Sequence, residues 1–194
     1  MNLAHYDNSH YDPGAGGIKR ALWYIVNAVL FNSWLWPESH LKCAMLRVFG
    51  AQVGLGVVIK PRVNIKYPWY LALGDHVWLG EGVWIDSLTC VRIASNVCIS
   101  QEAYLLTGNH NYKDPAFGLM VDEIHIEQGV WIGARAIVCP GVHVRRGTVL
   151  TAGSVLQADS KEDGIYRGNP AAWVRWRRAE DIVPVQSDPG IKAG

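Results

Sequence analysis

The chain has 194 residues, which is enough for one moderate domain with a buried core. Its formal net charge of +1 argues against a nucleic-acid-binding protein, because such proteins usually carry a strong basic excess. The four cysteines, Cys43, Cys90, Cys98 and Cys139, form no CxxC pair and no framework typical of small disulfide-rich proteins. We therefore expect free thiols, packed as small hydrophobic side chains, in a reducing compartment.

The N-terminal part, residues 1–52, is predicted to be a polar arm followed by an apolar helical segment. Residues 1–17 are polar and glycine-rich, so we expect no secretory signal. Residues 18–36 form a long apolar run, but Asn27, Asn32 and Ser33 interrupt it, which argues against a transmembrane helix. We expect this helix to pack on the domain or on a neighbouring subunit. Its aromatic residues also suit peripheral contact with a membrane surface.

A six-residue repeat runs through residues 53–158. From Ile126 onward, every sixth residue is aliphatic, and three shorter runs upstream show the same spacing. These positions are Val53, Ile59 and Ile65; Leu73, Leu79 and Ile85; Ile93, Ile99 and Leu105; and Ile126, Ile132, Val138, Val144, Leu150 and Leu156. Small or β-branched residues stand four positions after most of the downstream ones, namely Val130, Ala136, Val142, Thr148 and Ser154.

This period predicts a mainly β fold, because six residues match one short strand plus a turn. Three such strands close a triangular coil, whose aliphatic side chains point inward and stack on the coil below. Two extra residues separate the upstream runs, and a longer loop, residues 106–124, follows Leu105. All insertions therefore follow the third strand of a coil and leave from one edge of the prism. A β-sandwich would show alternation with period two. Residues 159–194 are predicted to be a C-terminal extension.

Several ordered motifs resemble those of hexapeptide-repeat sugar O-acetyltransferases. Ile93–His110, Gly129–Ala134 and Pro140–Val142 are similar to segments of the bacterial galactoside and maltose enzymes. A closer resemblance, to colanic-acid-type polysaccharide acetyltransferases, rests on Tyr67-Pro68-Trp69, Trp84-Ile85-Asp86, the TGNHNYKDPAFG loop and Gly168-Asn169-Pro170. The resemblance covers nearly all of the chain after residue 20. It implies a left-handed parallel β-helix and a homotrimer with active sites between subunits.

The resemblance also implies the reaction: transfer of an acetyl group from acetyl-CoA to a sugar or oligosaccharide hydroxyl, with no metal. In that family the loop histidine is the general base, and the matching residue is His110. A sugar hydroxyl is a poor nucleophile until its proton is removed, and an imidazole titrates near the working pH. We expect a cytoplasmic protein, with association at the inner face of the membrane as an option.

Other roles follow from matching positions. Family resemblance places the backbone of Ala134 and Ala152 at the pantetheine arm of CoA, Trp131 at the acetyl-transfer site and Arg175 near the adenosine phosphate. An alternative for Trp131 is an aromatic side chain that packs at a corner. The sugar-holding asparagine of the galactoside enzymes has no counterpart at residues 79–81, so sugar recognition should differ.

Asp86, Asn109 and Tyr112 are the candidates for sugar binding, because polar groups beside His110 could orient a hydroxyl. Each could instead cap a turn. His125 and His143 are one eighteen-residue coil apart and are expected to stack on one outer face.

Three other functions remain open from the sequence. A non-catalytic solenoid would bind partners and would not need His110. A long-chain acyltransferase on the same fold would need an acyl groove. A γ-class carbonic anhydrase would need three zinc-binding histidines, and the closely spaced pair, His5 and His10, lies outside the repeats.

Overall fold

The structure, a computed structural model, describes residues 3–181. The predicted C-terminal extension therefore lies partly outside the described residues. Two α-helices, α1 (Gly17–Val26) and α2 (Ser39–Val48), flank a wider helical turn, Asn27–Phe31. Three short 3₁₀ turns cover Leu3–His5, Pro68–Tyr70 and Ala179–Asp181.

Nineteen short strands, most of two or three residues, run through the described chain. They are β1 (Gln52–Val53), β2 (Val58–Ile59), β3 (Asn64–Ile65), β4 (Leu71–Leu73), β5 (Trp78–Leu79), β6 (Trp84–Asp86), β7 (Val91–Ile93), β8 (Cys98–Ile99), β9 (Tyr104–Leu106), β10 (Gly108–His110), β11 (Leu119–Val121), β12 (Ile124–Ile126), β13 (Trp131–Ile132), β14 (Ile137–Val138), β15 (His143–Val144), β16 (Val149–Leu150), β17 (Val155–Leu156), β18 (Gly164–Gly168) and β19 (Ala171–Trp176).

Three parallel sheets form the faces of a triangular prism. Face A holds β1, β4, β7, β12 and β15; face B holds β2, β5, β8, β13, β16 and β18, with β19 antiparallel at its edge; face C holds β3, β6, β9, β14 and β17. Five complete coils result, and β18 continues face B beyond them. The predicted parallel β-solenoid of six-residue repeats is confirmed.

The aliphatic positions predicted from the repeat pair with one another across coils. On face B, for example, Ile59 pairs with Leu79, which pairs with Ile99, followed by Ile132 and Leu150. These side chains are fully buried, and the same holds for the other two faces except at half-buried Val53. Stacked Ile, Leu and Val side chains thus form one continuous core along the prism axis.

The corners need left-handed backbone, which explains the scattered glycines. At the corner between faces B and C, residues with positive φ stack from coil to coil: Arg62, Gly82, Glu102, Arg135 and Gly153. Glycine takes this conformation without strain, and other residues take it at a cost of about 1 kcal/mol or more. Excursions leave the prism at the corner between faces C and A, at residues 66–70, 87–90 and 107–123, as the repeat predicted.

The N-terminal helices close the open end of the first coil. Strand carbonyls at that end have no further strand to bind, so side chains of the helical segment donate to them. Arg47 donates to Val53 O on face A at 2.8 Å, and Trp23 Nε1 donates to Ile65 O on face C at 2.9 Å. On face B, the buried Lys42 donates to Ile59 O at 3.3 Å. Of the described helices, none is long and apolar enough to cross a membrane.

Candidate active site

The long excursion, residues 107–123, is a β-hairpin of β10 and β11 that projects from the corner between faces C and A. The two strands pair antiparallel, with His110 opposite Leu119. Thr107 anchors the root: its buried hydroxyl donates to Asp86 O at 2.5 Å and accepts from Leu88 N at 2.9 Å. Because Thr107 is tied to the coil below, the hairpin leaves the prism in a defined direction.

Contacts on three sides fix the imidazole of His110. Its Nδ1 lies 3.0 Å from Phe117 O, and its ring stacks on the Phe117 ring, with centroids 4.4 Å apart and planes 4° apart. Tyr6 contacts the ring edge-on at 5.8 Å. A carbonyl oxygen only accepts hydrogen bonds, so Nδ1 carries the proton in this geometry. The neutral imidazole therefore presents Nε2 with a free lone pair, which is the form a general base requires.

The N-terminal arm reaches this hairpin, a contact that sequence reasoning missed. Besides Tyr6, His10 Nε2 lies 3.0 Å from Leu119 O, and the Tyr11 hydroxyl donates to Leu88 O at 2.7 Å. Burial strongly raises the pKa of Tyr11, so its hydroxyl stays protonated as a donor. No local pattern could have indicated these contacts, because the two hydrogen bonds join residues 77 and 109 positions apart in sequence.

Two of the three predicted sugar-binding residues lie in or beside the strand that ends in His110. Asp86 is the last residue of β6. Its carboxylate lies close to Gly108, the first residue of β10: a Cβ added to this glycine would be 3.6 Å from Asp86 Oδ2. Burial raises the pKa of Asp86, and the Lys66 ammonium partly opposes that shift. Asn109 Oδ1 accepts a hydrogen bond from the backbone N–H of His110 at 2.8 Å.

Tyr112 stands apart from these two. It lies past the end of β10, its side chain is 74% exposed, and the Lys113 ammonium lies 5.7 Å from the centre of its ring. Its predicted role in sugar binding stays a prediction.

A cleft of about 600 Å³ lies between the hairpin and the last two complete coils. It is lined by Leu106, Gly108, Asn109, Met120, Val121, Asp122, Cys139, Pro140 and Gln157. Its volume is within the range of small-molecule sites. Asn109 faces this cleft, whereas the ring of His110, the next residue of β10, lies against Tyr6 and Phe117 on the other face of the strand.

The predicted CoA-binding residues lie elsewhere on the prism. Trp131 is on face B, about half exposed, and its Nε1 donates to Ser100 Oγ at 2.9 Å. Ala134 and Ala152 lie in successive turns of the corner between faces B and C, where Gly153 N donates to Ala134 O at 2.8 Å. The corner that carries His110 lies opposite face B, so one chain does not bring these two sets together.

Arg175 already has a carboxylate partner. On β19, its guanidinium donates to both oxygens of Asp181, at 2.6 and 3.2 Å. This pairing lowers the pKa of Asp181 to about 2. An adenosine phosphate would therefore have to displace Asp181, in a pair whose side chains are both partly exposed.

Comparison with known proteins decides the family. The chain is 37% identical over 167 residues to the colanic acid biosynthesis acetyltransferase WcaF of Escherichia coli, an alignment that covers 84% of this chain and 90% of WcaF. Residues 123–158 match the family model described as the hexapeptide repeat of succinyl-transferase. The chain belongs to the hexapeptide-repeat acetyltransferase family.

Solved structures of this acetyltransferase family share the fold. A galactoside acetyltransferase in complex with coenzyme A gives a TM-score of 0.78 at 20% identity, with full coverage of both chains. The hexapeptide-repeat acetyltransferase VCA0836 of Vibrio cholerae, complexed with acetyl-CoA, gives 0.77 at 22% identity and covers 92% of this chain and 100% of its own. At these identities the structures establish the fold of the acetyltransferase.

The remaining histidines of the acetyltransferase form no metal site in the described part of the chain, where no group of three or more His, Cys, Asp or Glu side chains converges. His125 and His143 do pair on face A, with ring centroids 5.6 Å apart, as predicted. Each also contacts a carboxylate: His125 contacts Glu123 at 3.1 Å, and His143 contacts Glu127 at 2.8 Å.

Proposed function

We propose that this acetyltransferase moves the acetyl group of acetyl-CoA to a sugar hydroxyl during synthesis of an exopolysaccharide or cell-surface glycan. The observation that carries the proposal is the geometry of His110, whose Nδ1 lies against Phe117 O, so that the lone pair of the neutral ring is on Nε2. The 37% identical relative is a colanic acid biosynthesis acetyltransferase, which points to a polysaccharide acceptor.

In the proposed mechanism, His110 Nε2 takes the proton of the acceptor hydroxyl while its oxygen attacks the thioester carbonyl. A backbone N–H of a coil turn stabilises the oxyanion of the tetrahedral intermediate. The intermediate collapses as the C–S bond breaks, and the imidazolium returns its proton to the departing CoA thiolate. One C–O bond forms, one C–S bond breaks, and His110 ends in its starting state.

Acceptor binding is assigned to the hairpin side of the site. Asp86 and Asn109 would hold hydroxyl groups of the sugar, since Asp86 lies beside the strand that ends in His110 and Asn109 is part of that strand. Tyr112 would contact a more distant part of an oligosaccharide from the hairpin turn.

The active protein is proposed to be a homotrimer. Within one chain, His110 lies at the corner opposite face B, whereas Trp131, Ala134 and Ala152 lie on face B and at its corner with face C. Flat prism faces can pack in threes, so the hairpin of one subunit would reach the CoA-binding face of the next. Arg175 of that next subunit would meet the adenosine phosphate after releasing Asp181.

The proposed location is the cytoplasm, where acetyl-CoA is the donor, with residues 18–36 in peripheral contact with the inner face of the membrane. Lipid-linked acceptors would be reached from such a position.

Release of CoA thiol from acetyl-CoA, measured against a panel of mono- and oligosaccharides, tests the proposal. We expect acceptor-dependent release that falls by about a hundredfold to ten-thousandfold in His110→Ala, because the general base is lost. His125→Ala is the matched control, a partly exposed histidine outside the hairpin, and should keep full activity.

Three outcomes would count against the proposal. Unchanged release in His110→Ala would exclude this residue as the base. Absence of release with any acceptor, together with absence of CoA binding, would favour a non-catalytic solenoid, and transfer only from longer acyl-CoA donors would favour an acyltransferase of that type.

A further inference from the structure

Helix α1 and the turn after it carry two apolar stripes, of which the prism uses one. Trp23 and Leu30 pack into the core, with 2% and 8% of their side chains exposed. The second stripe is exposed, and each of its four residues is more than 50% exposed. They are Ile18, Leu22, Ile25 and Val29. Steps of four, three and four residues place these side chains along one side of a helix.

The segment that follows adds three large exposed side chains. Trp34, Leu35 and Trp36 are 61%, 78% and 43% exposed. Arg62 N donates to Ser33 O at 3.3 Å, which holds this segment against the first coil. We define the basal surface as Ile18, Leu22, Ile25, Val29, Trp34, Leu35 and Trp36. So many exposed apolar side chains at one end of a domain indicate an interaction site.

Charge is distributed unevenly along the prism, and the positive end carries the basal surface. Residues 13–74 contain seven Lys and Arg residues and one acidic residue, Glu38, whereas residues 75–181 contain ten basic and thirteen acidic residues. Of the seven, only Lys42 is buried. The guanidinium of Arg62 lies 5.4 Å from the Trp34 ring, so positive charge directly adjoins the apolar side chains.

We propose that the basal surface docks on an anionic lipid bilayer. Exposed Lys and Arg would be attracted to anionic headgroups, tryptophans would settle at headgroup level, and the aliphatic stripe would lie at the boundary with the acyl chains. Helix α1 would then lie in the plane of the bilayer. This agrees with the described helices, none of which is long and apolar enough to span a membrane.

The charge distribution argues against the alternative that the basal surface binds the basal surface of a second copy of this chain. Two basal surfaces in a two-fold contact would bring their basic residues together, which costs free energy. The inference does not depend on acetyl transfer, so docking and catalysis can be tested separately.

Sedimentation of the full chain with lipid vesicles tests the electrostatic part. We expect binding to vesicles of phosphatidylcholine mixed with phosphatidylglycerol, and much weaker binding to phosphatidylcholine alone. Arg62→Gln should weaken binding about fivefold, the effect of about 1 kcal/mol for each basic residue near the surface. Arg146→Gln is the matched control, an exposed arginine in the acidic part of the chain, and should bind as the native protein does.

The apolar part is tested with Ile18→Ser combined with Leu35→Ser, at the two most exposed positions of the basal surface. Binding should fall by about tenfold or more, because two large side chains no longer enter the interface. Val174→Ser, at a 44% exposed position on β19, is the control. Both positions of the double variant are exposed, so its thermal unfolding should match that of the native protein.

Several outcomes would overturn the inference. The inference is wrong if the native protein does not sediment with anionic vesicles. It is also wrong if the native protein binds neutral vesicles equally well. A smaller oligomeric mass of the double variant in light scattering, with vesicle binding retained, would assign the basal surface to a subunit contact. Acetyl transfer to a free sugar should be equal in the native protein and in all these variants. If the native protein shows no acetyl transfer at all, that result would count against the proposed function and not against docking.

Discussion

The coils and the hairpin are made of equally short strands, but different interactions hold them in place. In the coils, each strand pairs with neighbours in parallel, and its inward aliphatic side chain is buried. The hairpin strands β10 and β11 pair only with each other among the described strands, and they contain no buried side chain. Contacts of Thr107 and of the N-terminal arm hold the hairpin on the prism, and Phe117 holds the His110 ring within it. Scaffold stability is thus spread over many equivalent residues, whereas the placement of the base depends on few.

The largest expected effect is on the scaffold. A Cβ on Gly133 would lie 2.5 Å from Ala152 N and 2.8 Å from Leu150 O, both backbone atoms of the next coil. Successive coils cannot move apart without breaking their ladder, so Gly133→Ala should lower the free energy of unfolding by about 3 kcal/mol or more. Chemical denaturation followed by circular dichroism measures the change.

Gly17→Ala is the matched control for this substitution. A Cβ at Gly17, the first residue of α1, meets no atom within 4 Å. Alanine is also the better helix former, so the control should be neutral or slightly stabilising. Equal stability of the two variants would mean that the coils are not packed as tightly as the structure shows.

The next effect concerns the arm that contacts the base. Tyr6→Ala removes the edge-on contact with the His110 ring, and such aromatic pairs contribute about 0.5–1.5 kcal/mol. Looser control of the imidazole should lower kcat for acetyl transfer by about threefold to tenfold, with little change in the KM for acetyl-CoA. Tyr6→Phe keeps the ring and should keep the rate.

Leu3→Ala provides the control within the same arm, because this side chain is 62% exposed. Its kcat should equal that of the native protein. A rate loss shared by Leu3→Ala and Tyr6→Ala would indicate a general role of the arm, and an unchanged rate in both would show that the ring contact does not position His110.

The comparison between coils and hairpin also explains what the sequence could predict. Inward residues such as Ile99 and Ile132 recur at a fixed spacing because every coil has the same environment, so the pattern identified the fold, its register and the edge from which insertions leave. His110 was found through the resemblance of its loop motif to a known family. The contacts of Tyr6 and His10 join two distant segments at one place only, so they produce no repeating pattern in the sequence.

Asp86, where the hairpin root meets a coil, should give the smallest effect. Burial raises the pKa of its carboxyl group, so the folded protein holds this proton at pH values where the unfolded chain has lost it. Stability is therefore lost as pH rises from the ordinary carboxyl pKa through the raised value. It stays lower above that range. Because Asp86 is only partly buried and Lys66 opposes the shift, the effect should be modest.

Asp86→Asn removes this pH dependence. At neutral pH the variant should be slightly more stable than the native protein, and the difference should disappear below the ordinary pKa of a carboxyl group, where both side chains are neutral. Thermal unfolding across a pH series measures it, with Glu81→Gln as an exposed control that should show no such trend. A difference that stays constant with pH would mean that hydrogen bonding at the hairpin root, rather than burial of the charge, determines what Asp86 contributes to stability.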